Sequence, residues 1–449
     1  MKIAIVGSGI AGLAACHLLA GRGHEVHLYE SQDQLGMSAQ TVEFNSQVDA
    51  GVVLGDVPSR MFNAGLWPNV VDLYRRLGIE VAAVDATQSY RLAQQQLTLQ
   101  LQLPFRWTRE VIRAATSAAA SLVGSHADHS HGEGGRRTLK EQRSEFLSEM
   151  TRLRDQGQRD IAGLDPELTF LDYLDRGGFS AEFRETFLFP ALSSTVCTCS
   201  HAAINNYPAV VLLDAMRHIS GDQRLSRVAQ GSRAVSKALI GKAAHVRLGT
   251  SVESIEHQQG SVLLTCTEGR TEGRTEGGTH FDHVVIATQA NHVSSLVSGL
   301  AEAERVTLEG FRYEDVDIVV HTDQSFMPRE KSEWATFNFV ACDEEDESMC
   351  TVWMNRFHSN WSHAGLTSPV FQTIRPIRQP REDSLVRRTK LQRPIVETTS
   401  WQRWQLLREF HQQKDRRIWF CGSYAIPGVP LLESGVASAI EVSAAISNT

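Results

Sequence analysis

Residues 1–30, MKIAIVGSGIAGLAACHLLAGRGHEVHLYE, place a strand, a glycine-rich turn, a helix and a second strand in the order of a βαβ nucleotide-binding unit. Lys2 to Val6 is a short apolar strand, and Gly7-Ser8-Gly9-Ile10-Ala11-Gly12 fits G-x-G-x-x-G where that strand must turn into a helix. In such a turn the first glycine permits the tight bend, the second lets a pyrophosphate approach the backbone, and the third lets helix and strand pack closely. The free N–H groups and the dipole of the helix then face the phosphates. Ile10, Leu13, Ala14 and Leu18 give one apolar helical face, and Gly21 and Gly23 end it. The second strand, Glu25–Tyr29, leads into Glu30, a carboxylate placed to hold a ribose hydroxyl pair. Because Glu30 would repel the extra phosphate of NADP, this stretch leaves FAD and NAD as the dinucleotides to choose between.

At 449 residues the chain is long enough for about two to three domains and a large buried site. Its net charge of −8 offers no electrostatic footprint for nucleic acid or an anionic membrane, so neither is expected as a partner. The first strand begins at residue 2, which leaves no room for a secretory leader, and the expected location is cytoplasmic. No apolar run approaches the ~18 residues of a spanning helix, so no transmembrane segment is expected. Seven scattered cysteines read as reduced thiols. Cys197 and Cys199 lack zinc-site spacing, and His126, His129 and His131 read as a solvated His-rich linker, so no metal is expected.

After Glu30 follow Ser31, then Leu35-Gly36-Met37-Ser38-Ala39-Gln40-Thr41, then Asp49-Ala50-Gly51-Val52-Val53. The order G-x-G-x-x-G, acid, L-G-x-x-x-x-T and D-x-G resembles the start of the FAD-dependent amine oxidase superfamily, which also holds phytoene desaturase-like and protoporphyrinogen oxidase-like enzymes. The resemblance implies FAD, with Gly7, Ser8, Gly9, Ile10, Ala11, Gly12, Glu30, Ser31, Gly36, Met37, Gly51, Val52 and Val53 around it. In that family the middle motif carries a Gly-Gly pair followed by a basic residue. Here Gly36-Met37-Ser38 stands instead, which removes backbone freedom and implies an altered or looser loop around the pyrophosphate.

Farther along, Pro68 opens a helix that Gly78 stops. Residues 110–123 read as an alanine-rich helix and 138–153 as a charged amphipathic one, with a structureless GSHADHSHGEGG between them. Leu168 to Leu174, Phe183 to Phe189 and Pro208 to His218 continue as helices rich in aromatic residues. A helix opening near Ser232 and strands at His245–Leu248 and Val252–Ile255 follow, and the resemblance gives Val252 a backbone contact with the adenine. TEGRTEGRTEGGT reads as an expanded hairpin tip before a strand over His283–Thr288. Residues 306–400 match, in the order of their pieces, a poorly characterised branch of NAD/FAD-binding amine-oxidase-like proteins. At the end, a strand over Arg417–Phe420 enters a glycine turn and a small-residue helix runs to Ile446. The resemblance assigns Gly422, Ser423, Leu431 and Leu432 to the ribityl, pyrophosphate and flavin-ring region, where a helix N-terminus would stabilise charge on reduced flavin.

The fold class this implies is α/β: a Rossmann-like FAD-binding domain with a parallel sheet, and a second α+β substrate domain of helices and a mixed or antiparallel sheet. The FAD-binding domain is expected over 1–65, 222–305 and 405–449, and the substrate domain over 66–221 and 306–404. The implied activity is an FAD-dependent oxidoreductase taking a hydride from a C–N or C–C bond of a small or lipid-like metabolite, with molecular oxygen or another acceptor reoxidising the flavin. A flavin-dependent isomerase, a non-catalytic flavin-binding protein and an NAD-only dehydrogenase are the alternatives. No catalytic residue is assigned. Arg356, beside Asn355, has the shape to clamp a carboxylate but is expected to pair structurally. Lys237 and Lys331 sit in no motif, Tyr424 is expected to pack, and Cys421 to stay unmodified.

Overall fold

The structure is a computed structural model, and it describes residues 1–48, 51–92, 98–101, 139–219, 224–241, 244–268, 274–275, 278–342 and 347–449. The expected helix over 110–123, the three linker histidines, Asp49 and the middle of the TEGR repeat lie outside these residues.

Five strands form one parallel sheet in the order Ile418–Phe420, His283–Ile286, Lys2–Val6, Glu25–Tyr29 and Ala244–Arg247. Their near-continuous apolar runs (IAIV, HVVI, IWF) suit strands covered on both faces. Helices Ile10–Gly21, Ser232–Ile240 and Leu432–Ser447 cover one face, sharing a core that includes Leu13, Leu19, Val235, Leu239, Val436 and Val442. The first and last helices approach closely because Gly435 faces Ile10: a Cβ on Gly435 would stand 2.8 Å from the Ile10 Cγ2. Lying against this sheet is an antiparallel unit of Thr250–Gln258, Ser261–Glu268 and Thr279–Phe281, in which Val262 pairs with Phe281 around the repeat.

A seven-stranded sheet carries the order Leu385–Pro394, Tyr313–His321, Phe371–Ile374, Glu347–Trp353, Phe337–Cys342, Gln88–Leu92 and Thr98–Leu101. It is antiparallel except where Phe337–Cys342 runs parallel to Gln88–Leu92. Helices cover it through an aromatic cluster in which Tyr90 stacks on Phe339 at 4.8 Å and meets Phe187 at 4.5 Å. The charged amphipathic helix runs from Leu139 to Asp160, beyond the expected end, because Leu153 is buried and Gly157 lies against Leu213, so the packed face continues another two turns. The helix expected over Phe183–Phe189 is instead broken by π-turns at Arg184–Leu188 and Leu192–Val196. They flank Pro190, whose missing N–H and ring would disrupt a regular i→i−4 ladder. Among the described residues no helix is long and apolar enough to cross a membrane.

Candidate functional site: a nucleotide groove joined to an apolar cavity

Gly7 has φ +99, and a Cβ there would sit 3.0 Å from the Ala287 carbonyl oxygen on the neighbouring strand's exit. Gly12 is tighter still: its Cβ would stand 2.0 Å from the Gly7 oxygen, so only glycine lets the helix start against the turn. Gly9 differs from both, since a Cβ there meets no protein atom within 4 Å. The space in front of Gly9 is open where a phosphate would approach the backbone.

Glu30 ends its strand buried, and it organises the turn. Its Oε2 accepts from the Ser8 backbone N–H at 3.0 Å and from the Ser8 hydroxyl, while Oε1 accepts from the Gln32 N–H at 2.9 Å. The Ser8 hydroxyl in turn accepts from the Gly36 N–H at 2.7 Å. The three segments of the dinucleotide fingerprint are thus tied through one serine. In front of them lies a groove of about 540 Å³ lined by Gly7, Ser8, Gly9, Glu30, Ser31 and Val252 and, across it, by Thr288, Gln289 and His292. The open space at Gly9, the carboxylate at the strand end and Val252 opposite fit the diphosphate, ribose and adenine of FAD.

A second cavity, of about 290 Å³, begins at Gln289, which lines both. Its walls are largely apolar, including Met61, Trp67, Val316, Ile318, Phe337, Val352, Ile374 and Leu391. One end is formed by Leu431 and Leu432 at the N-terminus of the sixteen-residue last helix. The first turn of that helix is fixed from outside: the Glu433 carboxylate accepts from the Asn69 N–H at 3.1 Å, the Asn69 side-chain amide at 2.6 Å and the Val70 N–H at 3.0 Å. It thereby caps the helix Pro68–Arg76 and locks Trp67 beside the cavity. The π-turn contributes Ser194 and Thr195, and Thr198 lines the cavity with φ 54, an uncommon value for a non-glycine residue. The Ser59 hydroxyl, Gln289 Oε1 and Arg393 Nε in this region are buried with no hydrogen-bond partner among the described residues. Polar atoms left so at a cavity wall are groups that a ligand would satisfy.

The remaining sequence candidates fall into distinct places. Ile10 and Ala11 form the helix start beneath the turn. Met37 is buried in the core under the helices, and only its neighbour Gly36 touches the fingerprint. Gly51 precedes the strand Val52–Gly55, which pairs with Val42–Asn45 in a two-stranded hairpin packed near Trp361. Gly51, Val52 and Val53 line neither cavity. Gly422 and Ser423 form the turn after Ile418–Phe420, where the Gly422 N–H donates to the Ser438 hydroxyl at 3.2 Å. Tyr424 is a packing residue: it is buried, lies on Gly422 and meets Phe311 at 5.2 Å. Burial pushes the Cys421 thiol up to about 12, leaving it protonated and unreactive. Arg356 is spent on Asp85 at 2.6 Å and on the Trp334 carbonyl at 3.2 Å, and Asn355 pins the loop at Leu366, Ser368 and Val370. Lys237 lies on the Ser232–Ile240 helix, Lys331 stands 5.7 Å over the Trp334 ring, and neither lines the two cavities. At the sheet edge, away from both, Glu25, His27 and His245 bring their ligand atoms within 4.8 Å of one another, with Glu25 paired to His27 at 2.8 Å.

Sequence reasoning missed all the cavity residues but Leu431 and Leu432, among them Arg60, Gln289, Thr198 and Arg393. They belong to four separated segments and sit in no motif, so only the fold brings them together.

A family model described as "Flavin containing amine oxidoreductase" matches residues 10–447. Among solved structures, a putrescine oxidase double mutant made in a redesign of cofactor binding aligns with a TM-score of 0.65 at 13% identity, covering 100% of this chain and 99% of its own. The cyclohexylamine oxidase of Brevibacterium oxydans IH-35A aligns with a TM-score of 0.62 at 14% identity, covering 100% of this chain and 98% of its own. At these identities the likeness is one of fold. No curated protein sequence matches this chain.

Proposed function

The chain belongs to the flavin-containing amine oxidoreductase family and is an FAD-dependent oxidoreductase; from that premise we propose that it oxidises a C–N or C–C bond of a small metabolite held in the cavity behind Gln289. The observation that carries this reading is the junction itself. A nucleotide groove and an apolar cavity meet at one residue, and a helix N-terminus stands at the cavity end. FAD, when bound, supplies the two-electron acceptor.

The chain's own residues do the rest. When FAD is bound, Gly9 and the first turn of the Ile10–Gly21 helix would hold the diphosphate with backbone N–H groups, the Gly7 N–H being already given to the Tyr29 carbonyl at 2.8 Å, and Glu30 would hold the ribose while keeping the turn in shape through Ser8. Val252 lies on the adenine side of the groove. Leu431 and Leu432 start the last helix, whose free N–H groups would stabilise negative charge on a reduced flavin ring bound at this end of the cavity. The apolar walls exclude water from the reacting bond, and the Trp67 and Phe337 rings hold the substrate body. No acid or base is required for hydride loss from a neutral amine, and among the described residues no Asp, Glu, Lys or His lines the cavity. In this reading residues 1–65, 222–305 and 405–449 make the FAD-binding domain, with 66–221 and 306–404 over the substrate, and molecular oxygen reoxidises the flavin.

A visible absorption spectrum of the purified protein, followed by denaturation and chromatography of the released chromophore, tests the cofactor. Anaerobic addition of candidate substrates tests the reaction. A colourless chain that takes up no added FAD, or a flavin that no amine or C–C substrate bleaches anaerobically, would overturn the proposal.

A further inference from the structure

Two arginines, Arg60 and Arg393, line the apolar cavity, and no Asp, Glu, Lys or His is among its lining residues. Arg393 lies on the strand Leu385–Pro394, and it donates one bond, to the Pro430 carbonyl at 3.1 Å, beside Leu431. Its Nε is buried and has no partner among the described residues, and burial lowers the pKa of the guanidinium. Arg60 lies on the segment leading to Trp67, is partly buried, and makes no hydrogen bond or ion pair with any described residue. Elsewhere in the described chain, arginines near acids are paired: Arg416 with Glu304 at 2.7 Å, Arg356 with Asp85 at 2.6 Å and Arg184 with Asp175 at 2.6 Å. Two cations that make no ion pair with a described residue, at a largely apolar wall, carry a desolvation cost that an incoming anion would offset.

We propose that the cavity recognises a carboxylate on an apolar body, with Arg60 and Arg393 as the carboxylate clamp and the Val316, Ile318, Phe337 and Val352 wall as the seat of the body. The proposal rests on the preceding reading of this cavity as the substrate site and names its substrate class. A substrate with a second cationic group, such as a diamine, finds no carboxylate here to bind it and two positive charges to oppose it. A guanidinium fork matches the two carboxylate oxygens in plane, and Arg393 still has Nε and Nη1 to donate. The Ser59 hydroxyl and Gln289 Oε1, also unpartnered, add polar atoms on the same wall, so the anion and an amino group beside it would both meet partners.

Benzoate and benzylamine share one shape and differ in charge, which makes them the probes. Isothermal titration of the purified chain, with FAD added and without, should give benzoate a Kd at least about tenfold below that of benzylamine. Arg60→Gln and Arg393→Gln should each raise the benzoate Kd by about tenfold or more while the bound FAD content stays at the wild-type level. Arg60 makes no bond to the described chain, so Arg60→Gln keeps the test valid should Arg393→Gln fail to fold. Benzylamine binding as tightly as benzoate would overturn the proposal. So would variants that lose FAD with an unchanged benzoate Kd, or inorganic phosphate binding more tightly than benzoate, because the arginines would then serve the cofactor. A chain that takes up no FAD defeats the functional reading but not this one, since the flavin-free titration reads the arginines directly.

Discussion

Gly9→Ala and Gly12→Ala should separate two roles that one glycine-rich turn combines. Gly9 has φ −63 and ψ 177, values that alanine adopts freely, and its added methyl meets no protein atom within 4 Å. Restricting the unfolded chain favours the folded variant by about 0.4–1 kcal/mol, and the poorer standing of alanine at a helix N-cap costs a similar amount. The flavin-free Gly9→Ala chain should therefore lie within about 1 kcal/mol of wild type. The Gly12 methyl would stand 2.0 Å from the Gly7 carbonyl oxygen and 3.1 Å from the Ala287 Cβ, so helix and turn must part by roughly an ångström. Overpacking against backbone belongs near the upper end of the usual ~1–3 kcal/mol, and the helix preference of alanine returns about 1 kcal/mol, a net loss of about 2 kcal/mol. The cofactor separates Gly9→Ala from wild type. Added at about 100 times the wild-type Kd, FAD stabilises the wild type by about 2.7 kcal/mol, whereas a tenfold loss of affinity in Gly9→Ala leaves about 1.4 kcal/mol. Urea melts with and without FAD measure all four quantities. A Gly9→Ala chain that binds FAD as tightly as wild type, or a Gly12→Ala chain as stable as wild type without it, would refute the steric reasoning.

Glu30→Ala should lower the stability of the flavin-free chain by about 1.5–3 kcal/mol in addition to weakening FAD binding, because the carboxylate holds Ser8 and Gln32 in the chain itself. An unchanged flavin-free melting point would show a purely ligand-facing role. Glu433→Ala should cost about 1.5–3 kcal/mol by freeing Asn69 and Val70, with Glu433→Gln recovering part of it, as urea unfolding can measure. His283 and His321, held at about 4, and His358, held at about 3, are kept neutral by burial. The unfolded chain takes up protons on these rings from about pH 6.5 downward while the folded chain does not, so stability should fall as pH drops from about 6.5 toward 4, by up to ~1.4 kcal/mol per pH unit per ring. A midpoint of urea unfolding that stays level between pH 7.5 and 5 would count against buried neutral rings.

The nucleotide unit was legible because its constraints are local. The contacts of Gly7 and Gly12 are with each other and with Ala287, at the exit of the paired strand, and the parallel strand Glu25–Tyr29 delivers Glu30 directly beside Ser8. The strands read over His283–Thr288 and Arg417–Phe420 form as His283–Ile286 and Ile418–Phe420, and the fold pairs both into the same sheet. The cavity was not legible, since Arg60, Ser194, Gln289 and Arg393 come from segments more than 90 residues apart, and pairing of distant strands decides which face each shows. On Leu385–Pro394, with its alternating charges, nothing local distinguishes Arg393 from Arg387 or Arg388. The π-turns on either side of Pro190 were not expected from the sequence, because whether a proline kinks, ends or bulges a helix depends on what packs around it, here Phe187, Phe189 and the strand Glu347–Trp353.

The missing second glycine at Met37 also has a physical account. A Gly-Gly pair is needed where the backbone must enter the positive-φ region, yet neither Gly36 nor Met37 does so in this chain. The loop is instead a run of ordinary turns, with the Ser38 N–H bonded to the Leu35 carbonyl at 2.9 Å and the Thr41 N–H to the Ser38 carbonyl at 3.1 Å. Met37 then has a side chain to bury, and it uses it to anchor the loop in the core beneath the helices. The basic residue that the family's motif carries next to the glycines is absent from this stretch, but a guanidinium arrives from elsewhere. Arg387 donates to the Gln40 side-chain oxygen at 2.8 Å and to the Ala39 carbonyl at 3.4 Å. It comes from the same strand that carries Arg393 to the cavity. One strand of the seven-stranded sheet thus brings a cation to the loop over residues 35–41 and another to the cavity, so a shift of that strand would move both together.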